Sequence, residues 1–390
     1  MTTLGPGVDR SSGDPVVEAV TAGTWPGIRA GIWAGISAFL DADCAGRDQC
    51  APLVCGMSAA VPGARPTVCR VTASSPDNAA RHTGDTTVDS TADSTADSTA
   101  DSTADSTADS TADDLALAVQ LADIADAISL PRFGAVDLQV RAKPDLTPVS
   151  DADTAVERAI REVLAAQRPE DAVLGEEYGD SGPGAGSGPD PATVSRRWVI
   201  DPIDGTKNFV RGVPVWATLI ALLDGDSFTV GVVSAPALAR RWWAAAGRGA
   251  FTRFADHPAR PCQVSRVAAL ADASLSFSEM SEWRASQVPD RPGGVPDGLG
   301  DAFADVCAAC WRTRAYGDFY SYVLVAEGAV DIAAEPDLSL WDLAALVPIV
   351  TEAGGLMTDV HGQPSGALST SALATNGLLH GPVLAALRGE

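Results

Sequence analysis

The sequence predicts an α/β (α+β) fold in which sheets are covered by helices. Three observations carry this. Strand-like runs at Ala217–Leu223, Phe228–Ser234 and Arg241–Ala246 follow one another across Gly and Asp turns, the pattern of an antiparallel sheet. Helical apolar spacing recurs over Leu115–Ile128 and Val156–Leu164. From Asp318 onward helices and strands alternate, which calls for layers packed on a shared core.

The 390 residues leave room for two domains, or for one large domain with appendages. Residues 1–88 carry Gly, Pro, Ser and other small residues with weak periodicity. They read as a poorly ordered extension with no assignable chemistry. Cys44, Cys50, Cys55 and Cys69 lie there without a CxxC pair or a close histidine, which disfavours a zinc site. The total of seven cysteines is odd and argues against a disulfide framework. Residues 89–114 hold a tandem Asp-Ser-Thr-Ala repeat. It has no large apolar residue to offset ordering entropy, so it reads as a disordered, self-repelling linker.

The formal charge of −24 disfavours a nucleic-acid or anionic-membrane partner. Met1–Arg10 lacks a basic region followed by an apolar one, and the apolar run near Ile28–Leu40 is too short to span a bilayer. A cytoplasmic protein that takes cations is expected.

The ordered domain is expected over 115–390. Asp114 is placed to cap the first helix, and Pro131 to break the chain after it. Ser150 or Asp151 caps a second helix, with Asp153 in its first turn. Ala172–Leu174 is a short strand ending at Gly175-Glu176-Glu177. The glycines that follow make no dinucleotide fingerprint, because no strand leads in and no helix leaves. Trp198–Ile200 is a buried strand ending on Asp201, where Pro202 forbids further pairing. Asp204-Gly205-Thr206 is a turn opening a helix. Cys307 and Cys310 fall in an apolar helical stretch, Phe303–Trp311, and read as core thiols. The remaining elements are a helix over Asp318–Ala326, a strand over Ala329–Glu335 and a helix over Leu340–Ala353 stopped by Gly354-Gly355. Strands at Leu356–Asp359 and Ala372–Thr375 and a helix over Gly381–Arg388 follow.

Four carboxylates stand at element ends: Glu176, Asp201, Asp204 and Asp342. If they meet, their repulsion requires hard divalent ions, most simply Mg²⁺. Asp201 is the natural bridge between two ions about 3.5–4 Å apart. The helix start after Asp204 offers backbone N–H groups to a phosphate. The four histidines, His82, His257, His361 and His380, fall outside these motifs, and no Gly-x-Ser-x-Gly elbow is present. The remaining route is attack of activated water on phosphorus, with Thr206 and Asp153 orienting the water and taking its proton.

These residues carry a resemblance. Gly175-Glu-Glu177, Asp201-Pro-Ile-Asp204-Gly-Thr206-Lys-Asn208-Phe209, and Trp341-Asp342 with Glu352-Ala-Gly-Gly355 resemble the inositol monophosphatase family over about 115 to 390. The resemblance implies an α-β-α-β-α layered sandwich, a homodimer and Mg²⁺-dependent hydrolysis of a small phosphate monoester, with two or three ions per site. It implies that Glu176, Asp201, Asp204, Asp342 and the carbonyl of Ile203 bind metal. It further implies that Asp153 and Thr206, with Glu177 beside them, serve catalysis, and that the Gly205 and Thr206 amides hold phosphate. Arg314-Ala-Tyr-Gly317-Asp318-Phe-Tyr-Ser-Tyr322 and Glu335-Pro-Asp-Leu338 are most similar to the histidinol-phosphatase branch. Asp318, Glu335 and Asp337 suit the ammonium of histidinol phosphate, with helix capping as the other reading of Asp318 and Asp337. Tyr320 and Tyr322 face an imidazole or belong to the core. Lys143 and Asp145 are second-rank candidates. Two other readings stay open: a phosphatase of inositol 1-phosphate or another small monoester, and a non-catalytic ligand-binding relative.

Overall fold

A 36-residue helix, α1 (Asp97–Arg132), opens the described part of the chain. The computed structural model describes residues 97–144, 146–183, 196–284 and 298–390, with side chains from Ser110 onward. The chain divides into two units, Met1–Ser75 and Pro76–Glu390, and every described residue belongs to the second. The readings of residues 1–88, of the four N-terminal cysteines and of Asp145 lie outside the described residues.

Helix α1 differs from expectation at its start. It begins inside the Asp-Ser-Thr-Ala repeat at Asp97. Extending a helix already anchored by packed residues costs far less than nucleating one, and the buried Leu115, Ala118, Leu121 and Ala125 supply that anchor. Asp114 is therefore not a cap. It is buried within the helix and pairs with Arg168 at 3.2 Å and Arg196 at 2.9 Å. Pro131 does end the helix, which stops at Arg132.

Strands β1 (Val140–Ala142) and β2 (Pro148–Ser150) form a separate hairpin, followed by α2 (Asp151–Gln167). Next come β3 (Ala172–Gly175), β4 (Gly179–Ser181), β5 (Arg196–Asp204), the short helix α3 (Thr206–Arg211), β6 (Ala217–Asp224) and β7 (Ser227–Ala235). With β8 (Arg240–Ala245), β9 (Ala250–Phe254) and β10 (Arg260–Pro261) they build an eight-stranded sheet of order β10-β9-β8-β7-β6-β5-β3-β4. Its one parallel pair is β3 with β5. Strand β5 corrects a second expectation. Pairing does not end at Asp201: Asp201 faces Leu219, the register shifts, and Asp204 faces Ala217. Pro202 sits in that bulge, where its missing N–H costs no ladder bond.

The second sheet has five strands in the order β12-β11-β13-β15-β14. Its elements are β11 (Ser274–Ser276), α4 (Met280–Trp283), α5 (Leu299–Ala309), β12 (Arg312–Arg314), α6 (Asp318–Ala326) and β13 (Ile332–Glu335). They continue with α7 (Leu340–Leu343), α8 (Leu346–Glu352), β14 (Leu356–Thr358), β15 (Ala372–Thr375) and α9 (His380–Leu387). The single helix expected over Leu340–Ala353 is thus two. Pro348 cannot donate to the carbonyl of Ala344, so one continuous helix would lose that bond.

The layers follow from period-2 burial. Ala333, Ala372 and Ala374 join a central core with Val199, Leu219, Val233 and Trp242 of the large sheet and Phe319, Val323, Leu346 and Val350 of the helices between the sheets. Ile332, Ala334 and Leu373 face the other way, onto Phe303 and Val306 of α5 and Val383 of α9. Helix α1 lies along β6, β7 and β8 and packs on α2, closing the far side. The result is the expected α-β-α-β-α sandwich. Cys307 and Cys310 are free thiols packed on the outer core, where burial pushes them up to about 12 and about 11. Among the described residues no helix is long and apolar enough to cross a membrane.

Candidate active site

The bulge in β5 places Asp201, and the strand end places Asp204. Asp342 is the third residue of α7, where it forms a capping box with Ser339. Oxygens of Asp201, Asp204 and Asp342 lie within 4.8 Å of one another. Asp201 is buried, while Asp204 and Asp342 are half-buried. Burial raises all three pKa values, and charge adds to it: Glu176, Asp204 and Asp342 act on Asp201, and Asp318 and Asp342 on Asp204. Burial pushes Asp342 up to about 7.

In each acid, one oxygen is tied to a main-chain amide. Ile203 N donates to Asp201 Oδ1 at 2.9 Å, Phe319 N to Asp204 Oδ2 at 2.7 Å, and Ser339 N to Asp342 Oδ2 at 2.7 Å. The same device holds Asp153. Ser150 caps α2, and its amide donates to Asp153 Oδ2 at 2.9 Å, while the Ser150 hydroxyl donates to the same oxygen. Thr206 Oγ1, at the start of α3, lies 3.3 Å from Asp153 Oδ1 and 3.0 Å from the carbonyl of Ile203. Burial pushes Asp153 up to about 6 against these hydrogen bonds.

Glu176 follows β3 and stands outside the triad of close oxygens. Its charge acts on both Asp201 and Asp342. Lys143, between β1 and β2, lies 2.7 Å from Glu176 Oε1 and 2.7 Å from Glu177 Oε1. The Glu177 contact is an ion pair without hydrogen-bond alignment. Burial opposes the Lys143 ammonium, but the two glutamates outweigh it and raise its pKa. Burial, with the charge of Glu176, pushes Glu177 up to about 7 against Lys143.

Gly205 has φ +82°, and a Cβ there would stand 3.0 Å from both Asp318 Oδ2 and the carbonyl of Val215. Only glycine suits this turn. Beside the triad lies a cavity of about 160 Å³ whose walls include Ser278, Glu282, Asp318, Tyr322, Glu335 and Asp337. Asp318 has φ +46°, a conformation uncommon outside glycine. It does not cap α6, whose cap residue is Gly317. Its carboxylate instead accepts from Asn208 Nδ2 at 3.3 Å. Burial pushes it up to about 6. Glu335 is buried and raised by desolvation, against a hydrogen bond from Ser278. Tyr320 packs edge-on against Trp242, as a core residue does.

Two residues escaped the sequence reading. Ser278 Oγ donates to Glu335 and accepts from Asp318 N at 2.8 Å, so one hydroxyl ties two cavity acids together. Glu157, buried on α2, accepts from Glu177 N at 2.7 Å and Tyr178 N at 3.2 Å and pairs with Arg161 at 2.7 Å. It fixes the turn that carries Glu176. Its four-residue spacing to Arg161 looks like an ordinary surface pair.

The donor set at the triad is all oxygen, from three carboxylates with the Ile203 carbonyl nearby. That set suits hard divalent ions, whose charge would relieve the repulsion. The larger cavity, about 390 Å³ at Arg240, His257 and Arg260, has no such constellation.

Residues 111–390 match the inositol monophosphatase family. A histidinol-phosphatase of Mycobacterium tuberculosis is 56% identical over 273 residues, which span 70% of this chain and 97% of the relative. A histidinol-phosphatase of Streptomyces coelicolor is 53% identical over 274 residues, spanning 69% and 95%. Among solved structures, an IMPase of Thermotoga maritima superposes with a TM-score of 0.59 at 27% identity, covering 71% of this chain and 97% of that one. The chain belongs to the inositol monophosphatase family.

Proposed function

We propose that the chain hydrolyses histidinol phosphate to histidinol and phosphate, as a Mg²⁺-dependent phosphoric monoester hydrolase of histidine biosynthesis. The observation that carries the substrate is the acidic cavity beside the carboxylate triad. Glu282, Asp318, Glu335 and Asp337 line it. Such a wall suits a ligand whose leaving group is a cation, whereas a neutral polyol phosphate brings it hydroxyl donors but no opposite charge. The names of the two relatives at 56% and 53% identity agree.

Glu176, Asp201, Asp204, Asp342 and the carbonyl of Ile203 would hold two or three Mg²⁺ ions. When bound, the ions polarise the phosphoryl group and acidify water. The protein supplies the rest. Thr206 Oγ1 orients the attacking water, and Asp153 Oδ1 beside it takes the proton. Burial suits Asp153 to this, since it raises its proton affinity to about 6. The Gly205 and Thr206 amides receive the phosphate. Lys143 steadies Glu176 and Glu177, which keeps the second of these in a supporting catalytic role. A cytoplasmic homodimer belongs to the same proposal and rests on the family resemblance.

The test is phosphate release from histidinol phosphate, inositol 1-phosphate and a nucleotide bisphosphate, with and without Mg²⁺. The expected result is the highest kcat/KM on histidinol phosphate and none of it without the ion. A higher kcat/KM on inositol 1-phosphate would replace the substrate assignment. No release from any monoester would remove the enzyme reading altogether.

A further inference from the structure

Tyr322 lies on α6 with its ring in the central core and is 1% exposed. The residue lines the acidic cavity beside Glu335 and Asp342. Its hydroxyl has no hydrogen-bond partner among the described residues. Leaving a buried hydroxyl unpaired is costly, and a buried tyrosine ordinarily finds a partner for its polar tip. The orphan oxygen points to a group that enters the cavity from outside.

The chemistry of that group follows from its surroundings. Burial, with the charges of Glu335, Asp342 and Asp204, raises the phenol pKa, so the hydroxyl stays neutral and keeps its lone pairs available. Glu335 already has Oε1 engaged by Ser278. An ammonium brings three N–H donors and needs more than one acceptor. An ammonium beside Glu335 therefore finds a second acceptor in the Tyr322 oxygen.

We propose that Tyr322 is a specificity-determining residue whose hydroxyl oxygen accepts a hydrogen bond from the substrate ammonium next to Glu335. The inference rests on the proposal that the substrate is a cationic amino-alcohol phosphate. It adds to the acidic wall a neutral group that recognises the same cation.

The test compares wild type and Tyr322→Phe, as the full Mg²⁺-loaded chain, on histidinol phosphate and on inositol 1-phosphate. Phenylalanine keeps the ring packing and removes only the oxygen. The ratio of kcat/KM values, histidinol phosphate over inositol 1-phosphate, is expected to fall about 10- to 100-fold, the worth of a hydrogen bond to a charged group. The fall should lie mainly in KM. The Tm should not drop, since the hydroxyl makes no bond within the fold. An unchanged ratio in a variant whose wild type prefers histidinol phosphate overturns the role of Tyr322 alone. A marked loss of Tm also overturns it, because the hydroxyl would then be a structural group. A wild type that prefers inositol 1-phosphate overturns the substrate assignment and this inference with it.

Discussion

Thr206 Oγ1 stands 3.3 Å from Asp153 Oδ1 and joins the start of α3 to the first turn of α2, across 53 residues of sequence. The pair is held from both sides: Thr206 by the Ile203 carbonyl, Asp153 by Ser150. Thr206→Ala removes the orienting hydroxyl, and kcat should fall about 10²- to 10⁴-fold, the usual worth of positioned proton transfer. KM should change little, and Thr206→Ser should restore most of the rate. Steady-state kinetics on histidinol phosphate check this.

Asp201→Asn removes the charge of the most buried acid in the triad proposed to hold Mg²⁺. A cation's charge stabilisation is worth several kcal/mol, so kcat/KM should fall about 10³-fold or more. Calorimetric Mg²⁺ titration of the variant should show weaker binding, separating this loss from a defect in the pocket.

Glu335→Gln keeps the shape of the cavity wall and removes its charge. Preference for histidinol phosphate over inositol 1-phosphate should drop about tenfold or more, the scale of a charge-assisted hydrogen bond. Equal losses on both substrates would count against recognition by Glu335.

Asp153, Glu177 and Asp318 have folded-state pKa values of about 6, about 7 and about 6, above the 3.8 or 4.5 of the free groups. Burial is the leading cause in each. A carboxyl with a raised value holds its proton in the folded state after the unfolded chain has released it. Cation-free protein should therefore lose stability as pH rises from about 4 to about 7. Added Mg²⁺ should raise Tm, and by more at the upper end of that window. Thermal melts across pH, with and without Mg²⁺, check both signs.

Arg241 of β8 is buried and bonds Asp123 and Asp126 of α1, each at 2.7 Å. Arg241→Ala leaves Asp126 with the Ser234 hydroxyl but without its counter-charge. Breaking one side of such a pair costs about 3–5 kcal/mol. Urea unfolding should show it as a lower midpoint, while kcat in native buffer holds.

Much of the site was legible because its signals are local. Asp201-Pro-Ile-Asp204-Gly205-Thr206 carries two acids and the turn within one stretch, and Ser150 with Asp153 is a capping box readable at three-residue spacing. What escaped depends on pairing across the chain. The bulge that carries β5 past Pro202 is fixed by its neighbour β6, not by its own residues. Ser278 meets Asp318 and Glu335 across 40 and 57 residues. The start of α1 escaped for another reason. Ser, Thr and Asp are poor helix formers alone, and only the packed segment downstream carries the repeat into helix.

The amide tether on each acid also bears on which ion the cage accepts. With one oxygen of Asp201, Asp204 and Asp342 already accepting a main-chain N–H, bidentate capture of both oxygens of one acid competes with that hydrogen bond, while the other oxygen stays open to a cation. Magnesium takes single oxygens in an octahedron, whereas calcium gathers about six to eight and often claims both oxygens of one carboxylate. A larger ion that claims both oxygens of one acid therefore competes with the backbone for it. Preference for the smaller of two ions of equal charge is thus an expected consequence of the hydrogen bonding of a bulge and two helix starts, and competition between Mg²⁺ and Ca²⁺ in a calorimetric titration checks it.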